Sequence, residues 1–312
     1  MVEEPDLKDL LTRRQRLSLG EEGAYAYVAT LEALKNAGIS QEYLDNNEVG
    51  VLYGNDRTAK SVIESIDKLR EKKDTTLVGS GAIFKAMNSS VTMNLSTIFK
   101  LTGINFTVSA ACASGSHAIG IAYQLIKSGL QDCIICGGTQ EINELAMGSF
   151  DGLGVFSVND VTPGTASRPF DKSRDGLVPS GGAASLIVES YESAKKRNAV
   201  ILGEIIGYGF SSNGDHISTP NVDGPTLAMK KAIDQAQIQP KEIDYVNAHA
   251  TSTPVGDSNE AKAIFAVFGE NGPFVSSTKS MTGHECWMAG ASEIVYSMLM
   301  MEHSFIAPNI NL

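Results

Sequence analysis

Cysteine is scarce, with four residues in a chain of 312. That is too few for a disulfide framework at this length, so a reducing compartment is expected. Positive charge is also in deficit. Lys and Arg number 25 against 36 Asp and Glu, a net charge of −11. This argues against a nucleic-acid binder and leaves room only for local basic patches. No uncharged apolar run reaches the roughly 18 residues of a membrane span. The opening Met1-Val-Glu-Glu-Pro-Asp lacks the apolar core of a signal peptide. There is no Walker lysine and no glycine-rich dinucleotide fingerprint, so phosphate cradling has little support. No G-x-S-x-G elbow occurs, which disfavours a serine hydrolase. Tryptophan occurs once, at Trp287. These absences leave a soluble cytoplasmic protein, with no membrane and no nucleic acid among its partners.

What is present is ordinary globular sequence, 42% apolar and 20% charged, with 30 glycines for tight turns. The length suits one large domain or two smaller ones. Apolar spacing predicts helices around Tyr25–Leu34, over 58–73, over 83–100 and from Ile119 to Leu130. Short apolar runs at Val49–Tyr53, Ile104–Val108 and Asp132–Gly138 read as strands, the last unbroken as in a sheet covered on both faces. Residues 151–182 are loop-rich. The second half repeats the grammar, with strands expected at 183–189, 200–208, 243–248 and 274–276. Helices are expected at 191–197, 225–237, 257–268 and 289–301. Alternating strands and helices predict an α/β fold with mostly parallel sheets. Cys133 and Cys136 share a strand, and alternation does not aim both sulfurs at one point, which disfavours a metal or redox pair.

One stretch organises the chain, Phe106-Thr-Val-Ser-Ala-Ala-Cys-Ala-Ser-Gly-Ser-His117. Cys112 falls where strand becomes helix, where unpaired N–H groups and the helix dipole favour a thiolate. Small neighbours leave space beside the sulfur. From these residues alone, a nucleophile and a buried structural thiol both remain open. Four more groups stand out, the glycine-rich loop 168–182 among them, and the two that carry histidines sit at strand ends, where α/β folds place ligands. Asn247-Ala-His-Ala-Thr-Ser-Thr-Pro-Val-Gly-Asp257 carries His249, Thr251 and Thr253. Asp257 and Glu260 share a helix face. Ser277-Thr-Lys-Ser-Met-Thr-Gly-His284 carries Lys279 and His284. Singly, each also reads as a structural histidine or a plain ion pair. His117 and His303 read as structural.

Together and in this order, these motifs resemble the β-ketoacyl-acyl carrier protein synthases. Arg168-Pro-Phe-Asp-Lys-Ser-Arg-Asp-Gly176 and the tail from Tyr296 to Asn311 are similar to that family as well, the tail most to its class I branch. The resemblance implies a thiolase-like fold, two similar α/β halves stacked as αβαβα layers, over 1–182 and 183–312. It implies a homodimer that lengthens fatty-acid chains by decarboxylative Claisen condensation. In that scheme Cys112 takes the acyl chain, and His249 and His284 donate to the malonyl thioester oxygen. Lys279 keeps the histidines neutral, held by Glu260, while Asp257 orients the turn. Thr251 and Thr253 match positions that hold the phosphopantetheine arm of the acyl carrier protein. Arg13, Arg14, Lys72 and Lys73 are candidate docking charges for that acidic partner, with plain solvated charges equally open. No cofactor and no metal ion is expected.

The sequence also departs from the family. The glycine-rich first strand and the closing Phe-Gly-Phe-Gly-Gly strands, which supply a gate and a second oxyanion donor, are not among the 312 residues. The glycine expected after the first histidine is Ala250, and Trp287 stands where small residues are the family's habit; packing is its expected use. A polyketide or aryl-polyene ketosynthase shares the same triad. A non-catalytic partner subunit resembling a chain-length factor is the alternative from another class, and the presence of Cys112 counts against it.

Overall fold

The computed structural model describes residues 2–312. They fall into two compact units interleaved along the chain. One runs to Ser149 and adds Ser180–Ile201 and Glu285–Val295; the other comprises Phe150–Pro179, Leu202–His284 and Tyr296–Leu312.

The first unit is built on a four-stranded sheet of β1 (Val49–Gly54), β2 (Asn105–Val108), β3 (Cys133–Gln140) and β4 (Gly182–Glu189), in the order β2-β1-β3-β4. β1 runs parallel to β2 and β3, and β4 runs antiparallel to β3. All of β1 and β3 is buried, which is why their sequences run apolar without alternation. Val49, Val51, Tyr53 and Ile135 pack with Leu34, Val91 and Leu95 in one core. Cys133 and Cys136 lie in β3 opposite Glu189 and Leu186. Their odd separation points them to opposite faces, and the described residues contain no disulfide. β2 forms an edge, and Phe106 on it is 55% exposed.

The helix expected over 83–100 is broken into Ala82–Lys85 and Ser90–Phe99. Asn88 explains the break. Its side chain donates to the Asp56 carbonyl at 2.8 Å and its own carbonyl accepts from Asn55 at 3.0 Å. Asparagine bonding outside its own turn competes with the helical ladder.

The second unit carries a smaller sheet, β5 (Tyr245–Asn247) parallel to β6 (Phe274–Ser276). Ala248, Ala250 and Ile264 form its buried core with Phe170, Met229, Val246 and Phe268 around them. The strand expected at 200–208 belongs to no sheet among the described residues. Its stretch from Leu202 lies in the second unit and approaches the helix Asp223–Ala236 instead. A Cβ at Gly209 would lie 1.9 Å from the Ala228 carbonyl oxygen, so only glycine allows that contact. The Tyr208 N–H goes to Gln235 Oε1 at 2.6 Å rather than to a neighbouring strand. No helix among the described residues is long and apolar enough to cross a membrane.

Candidate active site

Cys112 sits in a single 3-10 turn, Ala111–Ala113, between β2 and the helix Ser114–Lys127. Ala111 has φ 49°, a left-handed conformation that costs an L side chain about 1–2 kcal/mol. Ser114 holds it there. Its hydroxyl donates to the Ala111 carbonyl at 2.6 Å and accepts the Ala110 N–H at 2.8 Å. The end of β1 presses on the same turn: a Cβ at Gly54 would lie 2.4 Å from the Gly115 nitrogen. On its other side Gly115 meets the Trp287 carbonyl, 3.0 Å from where a Cβ would stand. Trp287 is buried in the turn Cys286–Met288, so the lone tryptophan is a packing residue. Cys112 remains partly exposed at a helix start, where N–H groups stabilise a thiolate.

The second unit holds the other predicted group. His249 follows β5, and His284 follows the one-turn helix Lys279–Thr282. Their rings meet edge to face, centroids 5.2 Å apart and planes at 90°. His284 is buried, and its backbone N–H donates to the Val178 carbonyl at 2.7 Å. Burial, then His249 and Lys279, hold its pKa well below the usual imidazole range. The His249 ring is accessible within a recess of about 590 Å³, yet protein crowds it. That desolvation, with Lys279 second, pushes its pKa down to about 3. Both rings are therefore neutral at physiological pH, and a neutral imidazole still offers one N–H donor. Lys279 is fully buried in the same unit.

Glu260 does more than act on Lys279. Its carboxylate accepts the backbone N–H groups of His249 at 2.8 Å and Ala250 at 2.6 Å, while Lys279 acts on it electrostatically. Burial raises its pKa, and those backbone bonds and Lys279 pull it back. Asp257 is wholly buried. It accepts the Phe170 N–H at 2.9 Å and faces Arg174 Nε at 3.4 Å, tying the loop before β4 to the helix Pro254–Phe268. Burial raises its pKa against those partners. Thr251 and Thr253 place their hydroxyls 3.2 Å apart and line the recess with His249. Ala250 is buried; the left-handed residue of this turn is Ser252, with φ 72°.

Arg13 and Arg14 are exposed on the short helix Arg13–Leu17, and Lys72 and Lys73 are exposed at the end of the helix Ala59–Lys72. Lys72 pairs with its neighbour Glu71. Sequence reasoning passed over two serines. Ser114 closes the cysteine turn; its place at a helix start was the available signal. Ser167 donates to the Lys279 carbonyl at 2.5 Å, a long-range contact with no local signature.

An α/β chain with a cysteine elbow and a neutral histidine pair defines a thiolase-like condensing protein, and comparison with known proteins narrows the class. Residues 9–194 match the model described as beta-ketoacyl synthase, N-terminal domain, and residues 202–312 match its C-terminal domain. The 3-oxoacyl-[acyl-carrier-protein] synthase 1 of Haemophilus influenzae is 40% identical over 296 residues, covering 94% of this chain and 72% of its own. A solved beta-ketoacyl synthase from Burkholderia phymatum superposes with a TM-score of 0.93 at 36% identity, covering 100% of this chain and 76% of that one. A type II polyketide ketosynthase solved in complex with its acyl-carrier protein reaches a TM-score of 0.86 at 31% identity, covering 94% and 75%. The chain belongs to the β-ketoacyl synthase family, and its fold is thiolase-like.

Proposed function

We propose that this protein elongates fatty-acid chains as an acyltransferase of the 3-oxoacyl-acyl carrier protein synthase type. The Cys112 thiolate attacks the thioester carbonyl of an acyl chain on its carrier protein, and the phosphopantetheine thiol leaves. Malonyl-carrier protein then loses carbon dioxide as its carbon–carbon bond breaks. The resulting enolate carbon attacks the Cys112 thioester and expels the thiolate, leaving the chain two carbons longer.

The observation that carries this is the histidine pair. Two neutral imidazoles in edge contact, beside a buried Lys279, suit N–H donation to an oxygen on which enolate charge develops. Preorganised donors of this kind act where charge appears in the transition state. A neutral ring also stays a hydrogen-bond donor rather than giving up a proton. Thr251 and Thr253 in the recess beside His249 suit the amide-rich phosphopantetheine arm. Glu260 and Asp257 would serve as positioning residues, through the backbone of the histidine turn and through the Phe170 loop.

An acyl carrier protein is the partner this reading requires, and relatives carry it in their names. Arg13, Arg14, Lys72 and Lys73 are its proposed docking charges. A homodimer belongs to the same proposal, supported by the exposed edge of β2, since an open edge invites pairing with a second copy. So does a cytoplasmic setting.

The test is the intact mass of the protein after incubation with acyl-carrier protein. An acyl adduct that disappears in Cys112→Ala is expected, with His249→Ala and His284→Ala retaining the adduct but losing malonyl decarboxylation. An adduct that persists in Cys112→Ala would overturn the assignment.

A further inference from the structure

The stretch Ala307–Asn311 contains no helix or strand and no residue assigned above. Its hydrogen bonds nevertheless converge on the segment carrying Lys279. The Ala307 carbonyl accepts the Ser276 hydroxyl at 2.6 Å. Asn309 works in two directions: its Oδ1 accepts the Ser277 N–H at 2.6 Å, and its Nδ2 donates to the Pro169 carbonyl at 3.2 Å. The Ile310 N–H reaches Ser280 Oγ at 3.1 Å. Asn311 Nδ2 donates to the Ser167 carbonyl at 3.0 Å, and the hydroxyl of Ser167 reaches the Lys279 carbonyl at 2.5 Å.

The segment needs such support. The helix Lys279–Thr282 has four residues and no side-chain N-cap, and one turn does not hold itself. Ser277 also ties it to the other histidine, because its hydroxyl donates to the Ala250 carbonyl at 2.9 Å. Asn309 therefore grips Ser277, a residue that touches both turns.

We infer that Asn309 is a positioning residue for the decarboxylation half of the reaction, fixing the Lys279 turn and the His249 turn together through Ser277 and the Pro169 loop. The inference rests on the functional reading above. Its chemistry is indirect: Asn309 sets where Lys279 and the imidazole N–H groups stand, and a small displacement of such groups costs far more in rate than in binding.

The experiment is Asn309→Ala in the 312-residue chain, with three readouts. Malonyl-carrier protein decarboxylation should lose about 10- to 100-fold in kcat, with KM held within about twofold. Acyl transfer to Cys112 should stay within about twofold of the parent. In a pH titration followed by NMR, His249 and His284 should gain protons at higher pH than in the parent. Lys279 acts on both rings, and His249 acts on His284 as well, so a displaced Lys279 relieves both. Ser167→Ala keeps the test alive should the first variant fail to fold, and should move the same readouts in the same direction by less. Equal loss of acylation and decarboxylation, or unchanged decarboxylation with unchanged imidazole titration, overturns the inference. If the parent chain neither accepts an acyl group nor decarboxylates, the functional reading itself fails, and the imidazole titration still decides whether Asn309 positions Lys279.

Discussion

Two glutamates, one in each compact unit, are held in opposite ways. In the first, Glu22 is 1% exposed, and its Oε1 has no hydrogen-bond partner. In the second, Glu260 aims its two oxygens at two backbone N–H groups. The candidate site residues follow the same division. The cysteine turn rests on close packing, with Gly54 against Gly115, and on the local Ser114 hydroxyl that holds Ala111 left-handed. The histidine turn is set by polar bonds to Glu260 and Ser277. A packed site is most sensitive to changes in volume, and a hydrogen-bonded site to the loss of a partner.

Glu22 gives the largest effect that separates the two. Burial first, with the charges of Glu141 and Glu21 adding to it, raises its pKa from 4.5 to about 8, against a backbone hydrogen bond and, more weakly, Lys85. The folded chain thus keeps a proton that the unfolded chain releases at lower pH. Between those two values the folded state binds more protons, so stability falls as pH rises and levels off above the folded pKa. Going from about pH 5 to about pH 9, the loss from this group is on the order of 4 kcal/mol. Glu22→Gln should remove it. Denaturant unfolding of the two proteins across that range is the measurement; parallel stability curves would mean that Glu22 is not buried as a neutral acid.

Glu260 should act less on stability and more on chemistry. Glu260→Ala takes the acceptor from the His249 N–H and strands that of buried Ala250, at about 2 kcal/mol. Because His249 rides on that turn, decarboxylation should fall about tenfold or more while acylation of Cys112 stays near the parent rate. A variant with both rates intact would show that the turn keeps its shape without the carboxylate. Glu260→Gln, which preserves one acceptor oxygen, should fall between the two.

How much of this was legible in the sequence follows the same division. The buried strands β1 and β3 announced themselves as unbroken apolar runs, and the cysteine elbow as a strand running through small residues into a helical stripe. His249, His284 and Lys279 were found because spaced motifs fell in a known order, not because periodicity marked them. What stayed hidden was long-range and polar. Asn88 breaks a helix through contacts with Asn55 and Asp56, more than 30 residues away. The stretch from Leu202 has a strand's composition but lies against a helix through Gly207 and Gly209, because its glycines permit a backbone approach that no alternation pattern encodes. Glu260 was read as a partner for Lys279, and its bonds to the backbone were missed because peptide N–H groups leave no trace in composition.

Ala111 sharpens the comparison with the smallest effect. Its φ of 49° strains an alanine by about 1–2 kcal/mol, and Ala111→Gly relieves that strain. Glycine also gives the unfolded chain more freedom, which costs about 0.4–1 kcal/mol. The two nearly cancel, so the net gain in stability should be within about 1 kcal/mol. The consequence for function is different in kind. Alanine in this conformation has few neighbouring wells to visit, so the strained turn offers Cys112 in one orientation. Glycine opens those wells, and Ser114, through its bonds to Ala110 and Ala111, must then hold the sulfur in place with the Gly54–Gly115 contact. Acylation of Cys112 should slow severalfold while malonyl decarboxylation by the histidine pair stays unchanged, the mirror image of Glu260→Ala. Single-turnover acylation of the variant, followed by mass, decides the matter. An unchanged rate would mean that Ser114 and the Gly54–Gly115 contact fix the elbow by themselves, and that the left-handed alanine is tolerated rather than used.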